Sequence, residues 1–139
     1  MLPFENVRVI ELGRVLAAPL ACQILADLGA DVIKVEDPRE GDMFRTAGPG
    51  FVRNAHGQTD RNNSGKFQAL NRNKRSITVD VTQPDGQAIV RELVKRADVL
   101  VENFKVGDLA RRGLDYSALS ALNPRLIYAS ITGFGQTGP

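Results

Sequence analysis

Two β-branched runs, Val7–Leu12 and Asp31–Glu36, enclose a single helical pattern, and that order constrains the fold more than any other feature of the chain. Val7-Arg8-Val9-Ile10-Glu11-Leu12 alternates as a strand does, and Gly13 ends it. From Ala17 to Leu28 the apolar residues Leu20, Ala21, Ile24, Leu25 and Leu28 recur with helical spacing, which predicts that they form the buried face. Pro19 is tolerated in the first turn, and Gly29 suits the position after the helix, where glycine takes a left-handed backbone without strain. Asp31-Val32-Ile33-Lys34-Val35-Glu36 is the second strand. A strand, a helix and a strand within roughly 30 residues make a βαβ unit, with parallel strands and a right-handed crossover.

The alternation continues. A third strand is predicted at Ser76–Val81, then a helix over Pro84–Arg96 with Ile89, Leu93 and Val94 as its buried stripe. Ala97–Val101 is a short apolar strand of the kind covered on both faces. Short helices are expected around Asp108–Arg112 and Ser117–Leu122, and a last strand at Leu126–Ile131. The implied class is α/β, with a doubly wound, mainly parallel, Rossmann-like sheet. Two stretches stand apart. Thr46–Lys66 is polar and aperiodic, and is expected to be a long functional or disordered loop. Gly133–Pro139 is turn-like and follows a strand directly, leaving Leu126, Ile127 and Ile131 without a covering helix; it reads as a truncation.

A chain of 139 residues accommodates one domain, and 42% hydrophobic with 24% charged residues is an ordinary globular composition. A net charge of +2 is too small to argue for nucleic acid but is compatible with a small anion. No apolar run approaches the ~20 residues that cross a bilayer, so no membrane partner is expected. The opening Met1–Asn6 lacks the basic and apolar regions of a secretion signal, and the expected location is cytoplasmic. The lone Cys22 excludes an internal disulfide and a cysteine-based metal site, and its place between Ala21 and Ile24 marks it as inert packing.

In a parallel sheet, ligands bind beyond the carboxyl ends of the strands. A dinucleotide site should carry G-x-G-x-x-G there, but Glu11–Pro19 has one of the three glycines, which disfavours NAD despite Glu36 at a ribose-binding position. The loop Arg14–Ala17 and the free N–H groups of the following helix suit a phosphate. Leu70-Asn71-Arg72-Asn73-Lys74-Arg75 places three cations and two amides before the third strand. Asn103-Phe104-Lys105 closes the fourth strand and Arg111 follows; the fold could gather these segments on one edge. Each also has a plainer reading. Asn71–Arg75 could be a solvated loop, Arg111 and Arg112 surface charges at a helix end, Phe104 a core ring and His56 a solvated loop residue. No metal-ligand spacing, triad or carboxylate pair stands out. Composition and spacing lead to an α/β domain with an anion-friendly edge and no further.

Four blocks carry a resemblance. Ala26-Asp27-Leu28-Gly29-Ala30-Asp31-Val32-Ile33-Lys34-Val35-Glu36 with Gly41-Asp42-Met43 resembles the opening signature of the family III CoA-transferases, the group that includes formyl-CoA and carnitine CoA-transferases. Leu70–Ile77 is similar to the family's second block and Ala97–Phe104 to its third. Asn123–Tyr128 with Gly133–Pro139 is similar to the fourth. The blocks lie in order over nearly the whole chain. The resemblance therefore implies that residues 1–139 are the N-terminal, Rossmann-like, CoA-binding segment of a longer domain.

It further implies a CoA thioester as substrate, a carboxylic acid as acceptor, no separate cofactor, and an interlocked homodimer. Val15, Leu16 and Ala17 would line the pantetheine and thioester end. Leu70, Asn71, Arg72, Asn73, Lys74, Asn103, Phe104 and Arg111 would hold the adenosine diphosphate portion, with Lys105 beside them. Arg39 would stand in for an arginine that some members carry directly after the position of Glu36. Leu16 stands where some members have glutamine, and Ala18 where many have glycine. The family's nucleophilic aspartate follows the Gly135–Pro139 turn, beyond this chain, so no catalytic residue is assigned within it. An acyl-CoA racemase-type relative, a non-catalytic CoA-binding or dimer-interfering module and a nicotinamide-binding domain are the alternatives. Under the transferase reading the 139-residue chain alone shows no CoA transfer with any acid pair. Mass spectrometry that finds a covalent enzyme–CoA thioester on it would refute that expectation.

Overall fold

In the computed structural model, which describes residues 1–138, β1 (Arg8–Glu11), α1 (Ala17–Asp27) and β2 (Asp31–Glu36) form the expected unit. Arg8 is in register with Asp31 and Glu11 with Lys34, in parallel. Then follow a 3-10 turn at Met43–Arg45, β3 (Phe51–Arg53), β4 (Thr59–Ser64), α2 (Gly65–Asn71), β5 (Arg75–Thr78) and α3 (Pro84–Val94). β6 (Val99–Glu102), a second 3-10 turn at Ala110–Arg112, α4 (Tyr116–Leu122) and β7 (Ile127–Ser130) complete the order. Five strands pair in the order β5-β2-β1-β6-β7, every ladder parallel, which is the doubly wound sheet anticipated. The order reverses between β1 and β6, and at such a switch point the loops diverge and leave a crevice.

Strand alternation assigns the two faces. Ile10, Ile33, Val35 and Leu100 pack under Val90 and Val94 of α3 and Leu119 of α4. Val9, Val32 and Val101 point the other way and pack under Ala18, Cys22 and Ala26 of α1. The buried face of α1 is thus not the predicted one: Leu20, Ile24 and Leu28 are exposed, Ile24 by 51%. The reason is proximity. A Cβ on Gly13 would lie 2.2 Å from the Cβ of Ala18, so only small side chains fit between helix and sheet. On α3 the buried positions are Gly86, Val90 and Val94, four apart; Ile89 is 48% exposed and Leu93 half-buried.

The polar stretch 46–66 is not the structureless loop expected. β3 and β4 form an antiparallel hairpin closed by Asn54, whose N–H donates to Gln58 O at 2.9 Å, and His56 sits exposed at its tip. Ser64 then caps the unanticipated α2, accepting from the Phe67 N–H at 3.1 Å. β4 is polar on both faces and β3, Phe51-Val52-Arg53, is only three residues long, so no period marks either strand. Of the last strand's apolar residues, Leu126 is buried and Ile131 is partly covered on the α1 side; Ile127 is 63% exposed. Pro139, the end of the predicted terminal turn, lies outside the described residues. Among the described residues no helix is long and apolar enough to cross a membrane.

Gly86 is where α3 meets the turn before it. An added Cβ would lie 2.0 Å from the carbonyl oxygen of Asp80, a backbone atom that cannot swing aside. Gly86→Ala should therefore destabilise the fold by roughly 1–3 kcal/mol or more, as overpacking does. A denaturant melt with an unchanged midpoint would show that the 80–86 turn yields to the methyl group.

Candidate ligand site at the switch point

The loops after β1 and β6 are stitched together. The Arg14 N–H donates to Asn103 Oδ1 at 2.9 Å, and Asn103 Nδ2 donates back to the Arg14 carbonyl at 2.9 Å. Beside this bridge opens a cleft of about 710 Å³, lined by Arg14, Val15, Asn103, Phe104 and Lys105 and walled on the other side by Arg39, Val81 and Thr82. The guanidinium of Arg14 lies 5.4 Å from the centroid of the Phe104 ring, leaving an aromatic and cationic surface at one end. Arg112 joins the lining, as do the carboxylates of Asp37, Glu40 and Asp108. Arginine and lysine here can offer charge-assisted hydrogen bonds to phosphate oxygens. Arg39 pairs with Asp37 at 3.0 Å, and its hydrogen bonds hold the Asp37 carboxyl well below the usual carboxylate range.

The structure brings together five of the predicted residues, Val15, Arg39, Asn103, Phe104 and Lys105. Leu16 is exposed beside them and Ala17 begins α1. Arg111 is exposed and paired with Asp108 at the rim; its neighbour Arg112, read as a surface charge, is the one that lines the cleft. Leu70–Asn73 are not among the residues that line this cleft. Arg72 and Asn73 bind the carboxylate of Asp27, at the opposite end of α1 from Arg14. Lys74 and Asn71 meet beside the first turn of α1: the Lys74 ammonium is buried, 2.8 Å from Pro19 O and 3.0 Å from Asn71 Oδ1.

Lys74 belongs to a cluster that sequence reading missed. Lys34 Nζ lies 2.8 Å from Glu11 Oε1, 2.8 Å from Asp42 Oδ2 and 2.9 Å from Gly13 O, with a side chain only 1% exposed. Glu11 Oε2 lies 2.7 Å from Lys74 Nζ, close enough for charge pairing but without an aligned hydrogen bond; it is the one buried side-chain polar atom among the described residues lacking one. Two ammonium groups and two carboxylates form a net-neutral buried quartet. Burial opposes the charge on Lys34, yet Glu11 and Asp42 outweigh it and raise its pKa above the ordinary value. At Lys74 burial wins and its pKa is lowered. Cys22 is packed in the core under α1, and burial, with Glu11 nearby, pushes its thiol far up. The signal was present in the strand alternation, which puts Glu11, Lys34 and Glu36 on the α1 side at the carboxyl ends of their strands.

Glu36 is equally engaged. Arg45 grips it with Nε at 2.6 Å and Nη2 at 2.7 Å, while Ser76 Oγ and the Asp42 N–H complete its shell. That occupancy removes Glu36 as a ribose ligand and with it the last support for a nicotinamide site. No cluster of metal-ligating side chains occurs among the described residues.

Comparison with known proteins places the chain in a family. The sequence profile of CoA-transferase family III matches residues 4–139. Succinate–glutarate CoA-transferase of Agrobacterium fabrum is 58% identical over 137 residues, 99% of this chain and 34% of that protein. Succinyl-CoA:glutarate CoA-transferase of Homo sapiens is 47% identical over 137 residues, 99% of this chain and 30% of that one. The crystal structure of a CAIB/BAIF family protein from Brucella suis superposes with a TM-score of 0.91 at 54% identity, over 99% of this chain and 35% of its own. The chain spans about a third of the length of these relatives.

Burial raises the pKa of Glu36, but the hydrogen bonds from Arg45, Ser76 and the Asp42 amide outweigh it and bring the group from its ordinary 4.5 to about 2. Between those values the unfolded chain binds more protons at Glu36 than the folded one. Its stabilisation is therefore complete above about pH 4.5 and is lost as the pH falls towards 2. Denaturant melts of the native chain and Glu36→Gln should differ most near neutrality and converge in acid. A gap independent of pH would show that the Glu36 charge does not stabilise the fold.

Proposed function

The chain belongs to CoA-transferase family III, and from that premise we propose that it supplies the CoA-binding part of an enzyme that moves CoA from an acyl-CoA to a carboxylic acid. The observation that carries this reading is the cleft at the switch point, which Arg39 and Lys105 line together with Phe104 and the Arg14–Val15 loop. Phe104 with Arg14 would take the adenine, and Arg39, Lys105 and Arg111 the phosphates. Asn103 would hold the cleft's floor, and Val15, Leu16 and Ala17 would run along the pantetheine to the thioester. The nucleotide contacts are assigned to these residues rather than to Leu70–Asn73, where Arg72 and Asn73 are engaged on Asp27 and Asn71 on Phe67 O and Lys74.

The transfer itself would proceed through covalent intermediates on an aspartate beyond residue 139, in an interlocked homodimer. The aspartate carboxylate attacks the acyl-CoA carbonyl, forming a mixed anhydride and releasing CoA thiolate. The thiolate attacks the aspartyl carbonyl and displaces the donor acid, leaving an enzyme–CoA thioester. The acceptor carboxylate then displaces the thiolate to form a new anhydride, whose acyl carbonyl the thiolate attacks, releasing the product acyl-CoA and the free aspartate. Relatives named for succinate and glutarate point to short dicarboxylic acids as donor and acceptor class.

Calorimetry with CoA tests the binding half. Arg39→Ala and Lys105→Ala should each weaken CoA by about 1.5–3 kcal/mol, the usual loss of a hydrogen bond to a charged group. Unchanged affinity in both variants would remove the cleft as the site. In the longer protein, succinyl-CoA and glutarate should yield glutaryl-CoA and succinate, followed by chromatography of the thioesters; no exchange with any short dicarboxylate would overturn the substrate class.

A further inference from the structure

We propose that Asp42 and Lys34 are positioning residues: the buried quartet holds Val15 in a left-handed backbone conformation and so shapes the Gly13–Ala17 loop against the thioester half of bound CoA. The inference rests on the CoA reading above and adds to it the device that sets the loop.

Val15 has φ of +69°, a conformation that a β-branched residue adopts only under constraint. The constraint is visible. The Val15 N–H points at the Asp42 carboxylate, 3.3 and 3.2 Å from its two oxygens. Asp42 is buried and cannot drift: Lys34 Nζ holds it at 2.8 Å, the Phe44 N–H donates to it at 2.9 Å, and its own N–H is fixed on Glu36 at 3.0 Å. The same Lys34 ammonium accepts no freedom from the loop either, since it donates to Gly13 O at 2.9 Å. With Arg14 clasped by Asn103, three successive residues of the loop are each tied down, and the two beyond them are open to solvent. A strand-to-helix turn that only had to connect β1 and α1 could place glycine at residue 15 and dispense with the strain. A valine held there by buried charges, with its side chain on the cleft, fits a loop whose shape serves a ligand.

The test compares two probes on the same chain, CoA and adenosine 3′,5′-bisphosphate, which lacks the pantetheine and thiol. Asp42→Asn should lower the preference for CoA over the bisphosphate by about tenfold, from release of the strained loop, with bisphosphate affinity unchanged. Val15→Gly in the Asp42→Asn background should restore most of that preference, because glycine takes the left-handed conformation unaided. A merely structural role for the quartet would weaken both probes alike and would not respond to Val15→Gly; either result, or an unchanged preference, overturns the proposal. If the native chain binds neither probe, the CoA reading falls and the proposal with it. Should Asp42→Asn fail to fold, hydrogen exchange on the native chain decides: the Val15 amide should exchange at least about tenfold more slowly than the Leu16 amide, and equal rates overturn the clamp.

Discussion

Four charges buried on one side of the sheet hold the rest in place. Glu11 ends β1, Lys34 faces it from β2, Asp42 comes from the segment after β2, and Lys74 from the turn before β5. Each ion is taken from water, and each has its opposite charge within 2.8 Å. Such a cluster is a weak source of net stability but a strict one. Deleting a single member leaves an uncompensated buried charge, at about 3–5 kcal/mol. Against a typical domain stability of about 5–15 kcal/mol, that is a large share. The quartet therefore fixes which segments meet at the carboxyl edge of the sheet, more than it adds to the energy of their meeting.

The two faces of the sheet carry unlike work. Under α3 and α4 the packing is of ordinary large apolar side chains, Ile10, Val35, Leu100, Val90 and Leu119 among them. Under α1 the side chains are small, and the helix settles close enough for Gly13 to touch Ala18. Close approach brings the first turn of α1 and the Pro19 carbonyl down to Lys74, so the charge cluster and the helix share one layer. The outward stripe of Leu20, Ile24 and Leu28 follows from the same choice, since a helix that turns its small residues inward turns its large ones out.

At the cleft, cations meet carboxylates before any ligand arrives. Arg39 leans on Asp37 and Arg111 on Asp108. These exposed pairs are worth little in water, and a phosphate with several acceptor oxygens can replace a carboxylate without leaving the cation unpaired. The backbone beside them is bridged, with Arg14 and Asn103 exchanging hydrogen bonds across the switch point.

What the amino-acid order determined by itself was local or repetitive. The βαβ unit, the alternation of strands and helices, the parallel sheet and the family blocks are all carried by short-range period and motif, and each appears in the fold within a residue or a few of its expected bounds. That the segments after β1 and β6 meet at one edge was legible for the same reason, since strand ends in a parallel sheet meet at known places. Tertiary structure alone decided three things. It chose the small face of α1 over the large one, because the distance between helix and sheet is not written in helical period. It paired the three-residue β3 with β4, a strand polar on both faces, where only cross-strand contact marks a hairpin. It also sent Arg72 and Asn73 to Asp27 while drawing Lys74 in to Glu11, since neighbours in sequence part when the backbone turns, here at Asn73 with φ of +63°. A buried charge is stable only beside its opposite, and which opposite that is depends on the folded path of the chain and not on the spacing of its residues.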